Sequence, residues 1–359
     1  MESKRKPHHV KAINLALQGG GAHGAFTWGI LDRIFEDDRL WIEGISGTSA
    51  GAVNAVVAAQ GMYDGRAPEA RAALARFWKS VSDMGQLSPL RTNPIDASLG
   101  LWGLDRSPAY LWFDMLQRVA SPYDLNPFNI NPFRTMIADL IDFDKVRRCK
   151  DLELFISATN VETGRGRVFQ RDEITADVIM ASTCLPFLFQ AVEIEGEHYW
   201  DGGYMGNPPL VPILSGTSCA DILIIQINPT IREGVPRSAR GILNRVNEIT
   251  FNSSLLHELR GIDYINTLLA KGAVSPDDHR IVNIHIMGGG TAIKALDASS
   301  KLNTDWTFLT HLFEAGRSVA NNWLDENFAA IGNQSTVDVC GMFSDIGTLP
   351  APKKKQQVD

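Results

Sequence analysis

Two glycine-rich clusters, each placed where a short apolar run ends, constrain this chain more than any other feature. Gly19-Gly20-Gly21-Ala22-His23-Gly24 follows the run 11–17, and Gly47-Thr48-Ser49-Ala50-Gly51 follows the run 41–46. Short apolar runs bounded by glycine read as buried strands. Each cluster is followed by a helical pattern. Phe26, Ile30, Leu31 and Ile34 recur at helical spacing over 25–35, and 50–60 is rich in Ala and Val. Strand, helix, strand, helix is the opening of a parallel α/β sheet.

The first cluster matches the G-x-G-x-x-G of dinucleotide-binding folds, which expects an acidic residue about 20 positions on, at the end of the second strand. Here Glu43 falls near the start of that strand, and no Gly-Lys-Ser or Gly-Lys-Thr follows the glycines. The same loop suits an oxyanion hole. Glycine leaves backbone N–H groups unshielded, and the first helical turn adds unpaired donors and partial positive charge. Gly19, Gly20 and Gly21 are the candidate donors, Gly20 and Gly21 foremost, with Ala22, His23 and Gly24 supporting the loop. Losing one oxyanion donor typically costs about 3–4 kcal/mol.

Ser49 is the centre of G-x-S-x-G, where a sharp strand-to-helix turn projects a nucleophile and Gly47 and Gly51 relieve crowding on either side. A serine at its free pKa needs a base. The late histidines are His198, His257, His279, His285 and His311, and only His279, in a polar loop, suits a triad. Asp201 is better placed, because it ends a strand-like stretch and precedes Gly202 and Gly203, which permit a tight loop that can bring its carboxylate to Ser49. This arrangement is a Ser-Asp dyad.

The remainder reads as helix over 66–80, a proline- and aromatic-rich helical insertion over 84–134 suited to a lid or pocket wall, strands over 151–160 and 164–170, a helix over 174–182 and a strand-like stretch over 193–200. A near-continuously apolar strand at 221–228 follows, then helix at 241–270, strand at 280–287 and helix at 306–328. The expected organisation is a flexible start at 1–10, a catalytic unit at 11–240, a C-terminal helical extension at 241–345 packed on the core, and a flexible tail at 346–359. The apolar stripe of 306–328 suits core packing first, and a bilayer or a second subunit otherwise.

With 34 basic and 41 acidic residues the net charge is −7, which argues against a nucleic-acid groove. The four cysteines lack C-x-x-C spacing, so neither a disulfide scaffold nor a structural metal is expected. No secretory leader, spanning segment or calcium loop is evident. The expected setting is cytoplasmic, with peripheral membrane contact as an option, and no cofactor or metal is required. Oligomeric state is left open.

The order Gly-Gly-Gly-x-x-Gly, G-x-S-x-G and, about 150 residues on, Asp-Gly-Gly resembles the patatin-like phospholipases from 12 to about 209. Asn160 and Ala181-Ser182-x-x-x-Pro186 resemble that family too, and the part beyond about 240 is similar to an extension of some bacterial members. The resemblance implies a three-layer α/β/α sandwich with a largely parallel sheet. It also implies a lipid acyl hydrolase acting on fatty acyl esters, (lyso)phospholipids foremost, with Ser49 as nucleophile, Asp201 as base and the 19–24 loop as oxyanion hole. The alternatives are a broad esterase or polyester depolymerase using the same dyad, and a non-catalytic lipid-binding or scaffold protein. The family loop usually carries Arg or Lys where this chain has His23. A neutral histidine there predicts a weaker pull on a phosphate headgroup, or a pH dependence.

Overall fold

Strand β1 (Lys11–Leu17) lies inside one mixed sheet, with β2 (Leu40–Gly47) on one side and β7 (Asp221–Gln226) on the other, both parallel to it. This computed structural model describes residues 10–86, 88–93, 96, 99–117, 119–275 and 279–343. The expectations for 1–9 and for the tail 346–359 lie outside the described residues. The sheet order is β5-β6-β3-β2-β1-β7-β8, with β4 paired to the remaining edge of β3. Strands β3 (Glu153–Asn160) and β8 (Asn283–Gly288) are parallel to their neighbours β2 and β7. Strands β4 (Gly166–Gln170), β5 (Val192–Ile194) and β6 (Glu197–Asp201) pair antiparallel.

The two faces of the sheet build two cores, and strand alternation assigns residues to each. Ile13, Leu15 and Leu17 of β1 and Leu223 and Ile225 of β7 enter one core. Ala16 of β1 and Ile222 and Ile224 of β7 enter the other. The first core is closed by α1 (Gly24–Glu36), α2 (Ala50–Gly85) and the later helix 306–327; α2 breaks at Gly65 and Arg66, so its two halves correspond to the two helices expected there. Residues covered on both faces explain why β7 reads as continuously apolar.

Prolines that loosen the pattern of the insertion turn out to start its helices. Pro108 opens α3 (Pro108–Leu116) behind Ser107, Pro122 opens α4 (Pro122–Leu125) behind Ser121, and Pro132 opens α5 (Pro132–Leu140) behind Asn131. Proline suits the first helical position because its missing N–H would be unpaired there anyway. Several aromatic side chains of the insertion face outward, Trp112 and Phe128 at 67% and 84% exposure. Helix α6 (Phe143–Arg148) then leads to β3, and α7 (Ala176–Ser182) packs beside β3 in the first core.

Helices α8 (Val211–Gly216) and α9 (Ala239–Ala270) cover the second face, α9 as one continuous helix. The region expected as a helical extension contributes more than helices, because β8 forms a sheet edge and α10 (Gly290–Lys294) and a 3-10 segment Ala298–Leu302 follow it. Helix α11 (Trp306–Asn327) lies on α1, and its Phe308, Leu309, Leu312 and Leu324 are buried in the first core. Its apolar stripe is therefore packing rather than a membrane face. The result is a three-layer α/β/α sandwich around a mixed, largely parallel sheet. No helix among the described residues is long and apolar enough to cross a membrane.

Candidate active site

Ser49 is the second of the two residues between β2 and α2, with φ 54° and ψ −124°. That left-handed value is rare for a residue with a side chain and marks stored strain. Surrounding contacts hold it. The Ser49 N–H donates to Ser182 Oγ at 2.9 Å, Val53 N–H donates to the Ser49 carbonyl at 3.1 Å, and Thr48 Oγ1 donates to the Gly206 carbonyl at 2.6 Å. Gly51 allows the turn to press on β1, since a Cβ there would lie 2.2 Å from the Leu17 carbonyl oxygen; Gly47 packs against Gly51 from the other side. Ser49 is half-buried and Thr48 fully buried, so the hydroxyl of the former is the accessible one.

Sheet register brings Asp201 to the same place. The last pair of β2 with β3 is Gly47 with Ile156, and two residues on, Ala158 pairs with Asp201 of β6. Ile156 and Ala158 also pair with β4, on the opposite edge of β3. Strand β6 therefore continues along the edge that β2 vacates, and its last residue meets the turn that carries Ser49. Asp201 is completely buried. Its Oδ1 accepts the Gly203 N–H at 2.8 Å, while Oδ2 is buried without a partner of full hydrogen-bond geometry. The Ser49 hydroxyl is among the groups that favour the ionised carboxyl, while Asp201 Oδ2 itself has no hydrogen-bond partner. Burial pushes the Asp201 pKa up to about 6, opposed by the Gly203 N–H, the Ser49 hydroxyl and the Lys301 ammonium. Gly202 lets the loop fold onto β3, since a Cβ there would meet the Ser157 carbonyl oxygen at 2.2 Å.

The glycine loop abuts Ser49 directly, because a Cβ on Gly19 would lie 2.7 Å from the Ser49 Cβ. The three glycines do different things. The Gly19 N–H is committed to Asn207 Oδ1 at 2.7 Å. Among the described residues the N–H groups of Gly20 and Gly21 donate to no protein acceptor. Gly21 has φ +57°, and a Cβ there would stand 2.4 Å from the Lys301 carbonyl oxygen. Ala22 is buried in the first core, and Gly24 begins α1 in contact with Ala50 and Trp78.

His23 is turned into the protein rather than towards solvent. Its ring is buried, edge-on to Phe308, with Nε2 2.7 Å from Ser300 Oγ. Ser300 donates its own proton to the Asp297 carbonyl at 2.6 Å, so Nε2 carries the ring proton and Nδ1 is left without a partner. Burial, then Lys301 and Arg232, hold the His23 pKa well below the usual histidine value. The ring is therefore neutral and packed into the protein, in keeping with the weaker pull expected of a neutral histidine at this position and against its titrating near neutral pH.

Among the described residues no histidine hydrogen-bonds Ser49. His285 is buried between Asp221 Oδ1 at 2.9 Å and Thr336 Oγ1 at 3.2 Å, His311 stacks on Trp102, and His257 and His279 line a groove between α8, α9 and the segment that leads into β8. Among the described residues no cluster of His, Cys, Asp and Glu is arranged to hold a metal ion. A cavity of about 750 Å³ opens next to the Asp201 loop, walled by Val119 and Pro122 of the insertion and by Pro186, Phe187, Trp200 and Tyr204; neither Ser49 nor Asp201 lines it. Asn160 holds the β3–β4 turn by accepting the N–H groups of Glu162 and Thr163.

Several groups at the site carry no sequence signal of their own. Gln18 accepts the N–H groups of Ile227 and Asn228, at 3.0 and 2.9 Å. Asn228 Nδ2 donates to the Gly19 carbonyl at 2.7 Å, and Lys301 Nζ donates to Asn228 Oδ1 at 2.8 Å. Asn207, directly before Pro208-Pro209, is another, and only the fold shows that it holds Gly19.

A family model described as patatin-like phospholipase matches residues 15–214, more than half of the chain. The chain is also 26% identical over 238 residues to uncharacterized NTE family proteins of Mycobacterium tuberculosis and Mycobacterium bovis, covering 65% of this chain and 55% of theirs. It thus spans about half the length of these curated relatives. Among solved structures, VipD from Legionella pneumophila aligns at 16% identity and a TM-score of 0.42 over 89% of this chain and 67% of its own. ExoU, in its complex with SpcU from Pseudomonas aeruginosa, aligns at 16% identity and 0.35 over 89% and 52%.

Proposed function

The chain belongs to the patatin-like phospholipase family, and we propose that it is a serine lipid acyl hydrolase cleaving fatty acyl esters, (lyso)phospholipids foremost, through a Ser49–Asp201 dyad. The observation that carries this reading is the register of β3, which lodges a fully buried carboxylate against a strained serine at the end of β2. Ser49 attacks the ester carbonyl while Asp201 takes its proton. The free N–H groups of Gly20 and Gly21 face the developing oxyanion, and Gly19 packs beneath Ser49 with its own N–H bound to Asn207. Asp201 returns the proton to the leaving alcohol, and then activates the water that hydrolyses the acyl-enzyme. The cavity beside Tyr204 and Phe187 is apolar enough to take an acyl chain. The outward-facing Trp112 and Phe128 of the insertion, rather than α11, offer the surface for peripheral contact with a bilayer.

A fluorophosphonate probe tests the chemistry. Wild type labels, and Ser49→Ala and Asp201→Asn do not. Labelling that survives Ser49→Ala overturns the assignment. A panel of phospholipids, lysophospholipids, triglycerides and short p-nitrophenyl esters then ranks substrates, with activity confined to the short esters contradicting a lipid substrate.

A further inference from the structure

The glycine loop is held from outside the matched family region, by one short segment of the C-terminal part. Ala298–Leu302 touches the loop in three ways. Ser300 Oγ meets His23 Nε2 at 2.7 Å. The Lys301 carbonyl oxygen sits where any side chain on Gly21 would be. The Lys301 ammonium reaches Asn228 Oδ1 at 2.8 Å, and the same amide donates to the Gly19 carbonyl at 2.7 Å. A cation is thus joined by one side chain to the backbone that abuts Ser49.

We propose that Lys301 is a positioning residue for acyl transfer: through Asn228 it fixes the peptide plane of Gly19 and Gly20, and its charge acts on the Asp201 carboxylate and on the oxyanion formed above the loop. This rests on the dyad reading given above. A carbonyl held at Gly19 fixes where the next N–H, that of Gly20, points, because the two belong to one planar peptide unit. Donors aimed in advance at developing charge need no reorganisation during reaction.

The charged and titratable groups around this pair are few. Asp201 is influenced by Lys301, and itself acts on Cys184 and Tyr204, both of which burial pushes up to about 12. Lys301 is influenced by Glu248 and Asp201, which favour its charge, and by Arg232, which opposes it; burial is the largest influence and lowers its pKa. Glu248 is in turn held by Arg232 at 2.7 Å and Arg245 at 3.2 Å. Lys301 is thus a partly buried lysine hydrogen-bonded to Asn228 Oδ1, with Glu248 and Asp201 favouring its charge.

The test uses the full chain and a soluble p-nitrophenyl ester, with fluorophosphonate labelling of wild type and Ser49→Ala run first. Failure of wild type to label, or labelling of Ser49→Ala, sinks the dyad reading and not this inference alone. With that control met, Lys301→Met is expected to lower kcat by about 10²-fold, the scale of a misplaced catalytic group, with KM little changed. Its acid limb in kcat/KM is expected to move up, because a cation that favours ionised Asp201 is gone. Asn228→Ala, which keeps the charge and breaks the bridge, is expected to lower kcat with the limb unmoved, and it serves as the deciding variant should Lys301→Met fail to fold. Wild-type kcat in either folded variant, or an acid limb in Lys301→Met at the wild-type position, overturns the proposal.

Discussion

In the proposed dyad, Asp201 sets both the working pH and a stability cost. Its carboxyl is raised from the ordinary 3.8 to about 6, chiefly by burial. An acid whose folded pKa is raised holds its proton more tightly folded than unfolded. The protein is therefore favoured below about 4, loses stability as pH rises from there to about 6, and carries the full cost above it, on the order of 2–3 kcal/mol. Two outcomes are expected. Below about pH 6 the kcat/KM of the wild type falls about tenfold per unit, since only the carboxylate accepts the Ser49 proton. Asp201→Asn is inactive yet melts a few degrees higher than wild type at pH 7.5, with the gap closing near pH 4, as thermal unfolding at the two pH values would read. A lower melting temperature at pH 7.5 would mean that the charge is better paired than its burial indicates. At this scale the sequence pointed to the residues that the fold brings together, Ser49, Asp201 and the two glycine clusters, because the chemistry proposed for them demands particular residue types. It was silent on Asn207, Asn228 and Lys301, whose contacts arise from which segments happen to be neighbours, and on the burial of His23, which depends on α11 and the 298–302 segment.

Among the elements, the packing of α1 on α11 is the contact that ties the C-terminal part to the glycine loop. The two helices cross at glycines, and the approach is close. A Cβ on Gly29 would lie 2.0 Å from the Phe313 carbonyl oxygen, and one on Gly316 would lie 2.1 Å from that of Phe26. Helix propensity alone favours alanine over glycine by about 1 kcal/mol. Backbone atoms cannot yield as a side-chain tip does, and forcing atoms into a packed contact costs about 1–3 kcal/mol. Gly316→Ala is accordingly expected to destabilise, with a net loss of about 1–2 kcal/mol in urea titration; an increased midpoint would show that the helices separate without penalty. Helical and strand periods placed α1, α2, β1, β2, β7, α9 and α11 within a few residues, because each has one buried face or two. The hairpin of β5 and β6 was harder to read. Val192–Ile194 is only three residues long, and nothing local to it states that β6 will run beside β3 past the end of β2.

Taken as a whole, the molecule does not divide in space where its sequence does. The family-like part ends near 214, yet β8 extends the same sheet, α9 covers its second face and α11 fills its first core. The segment between β8 and α11 reaches the loop beside Ser49. A motif reading stops short of this because long-range packing has no signature in a single sequence, whereas the catalytic turns do. The central claim is that Ser49, backed by Asp201, becomes acylated. Rapid acid quench of a long-chain p-nitrophenyl ester reaction, followed by digestion and peptide mass mapping, measures this directly. The account predicts the acyl mass increment on the peptide containing Ser49 in wild type and none in Ser49→Ala, whose hydrolysis is lost. An adduct on a different residue, or hydrolysis that persists in Ser49→Ala, would contradict it.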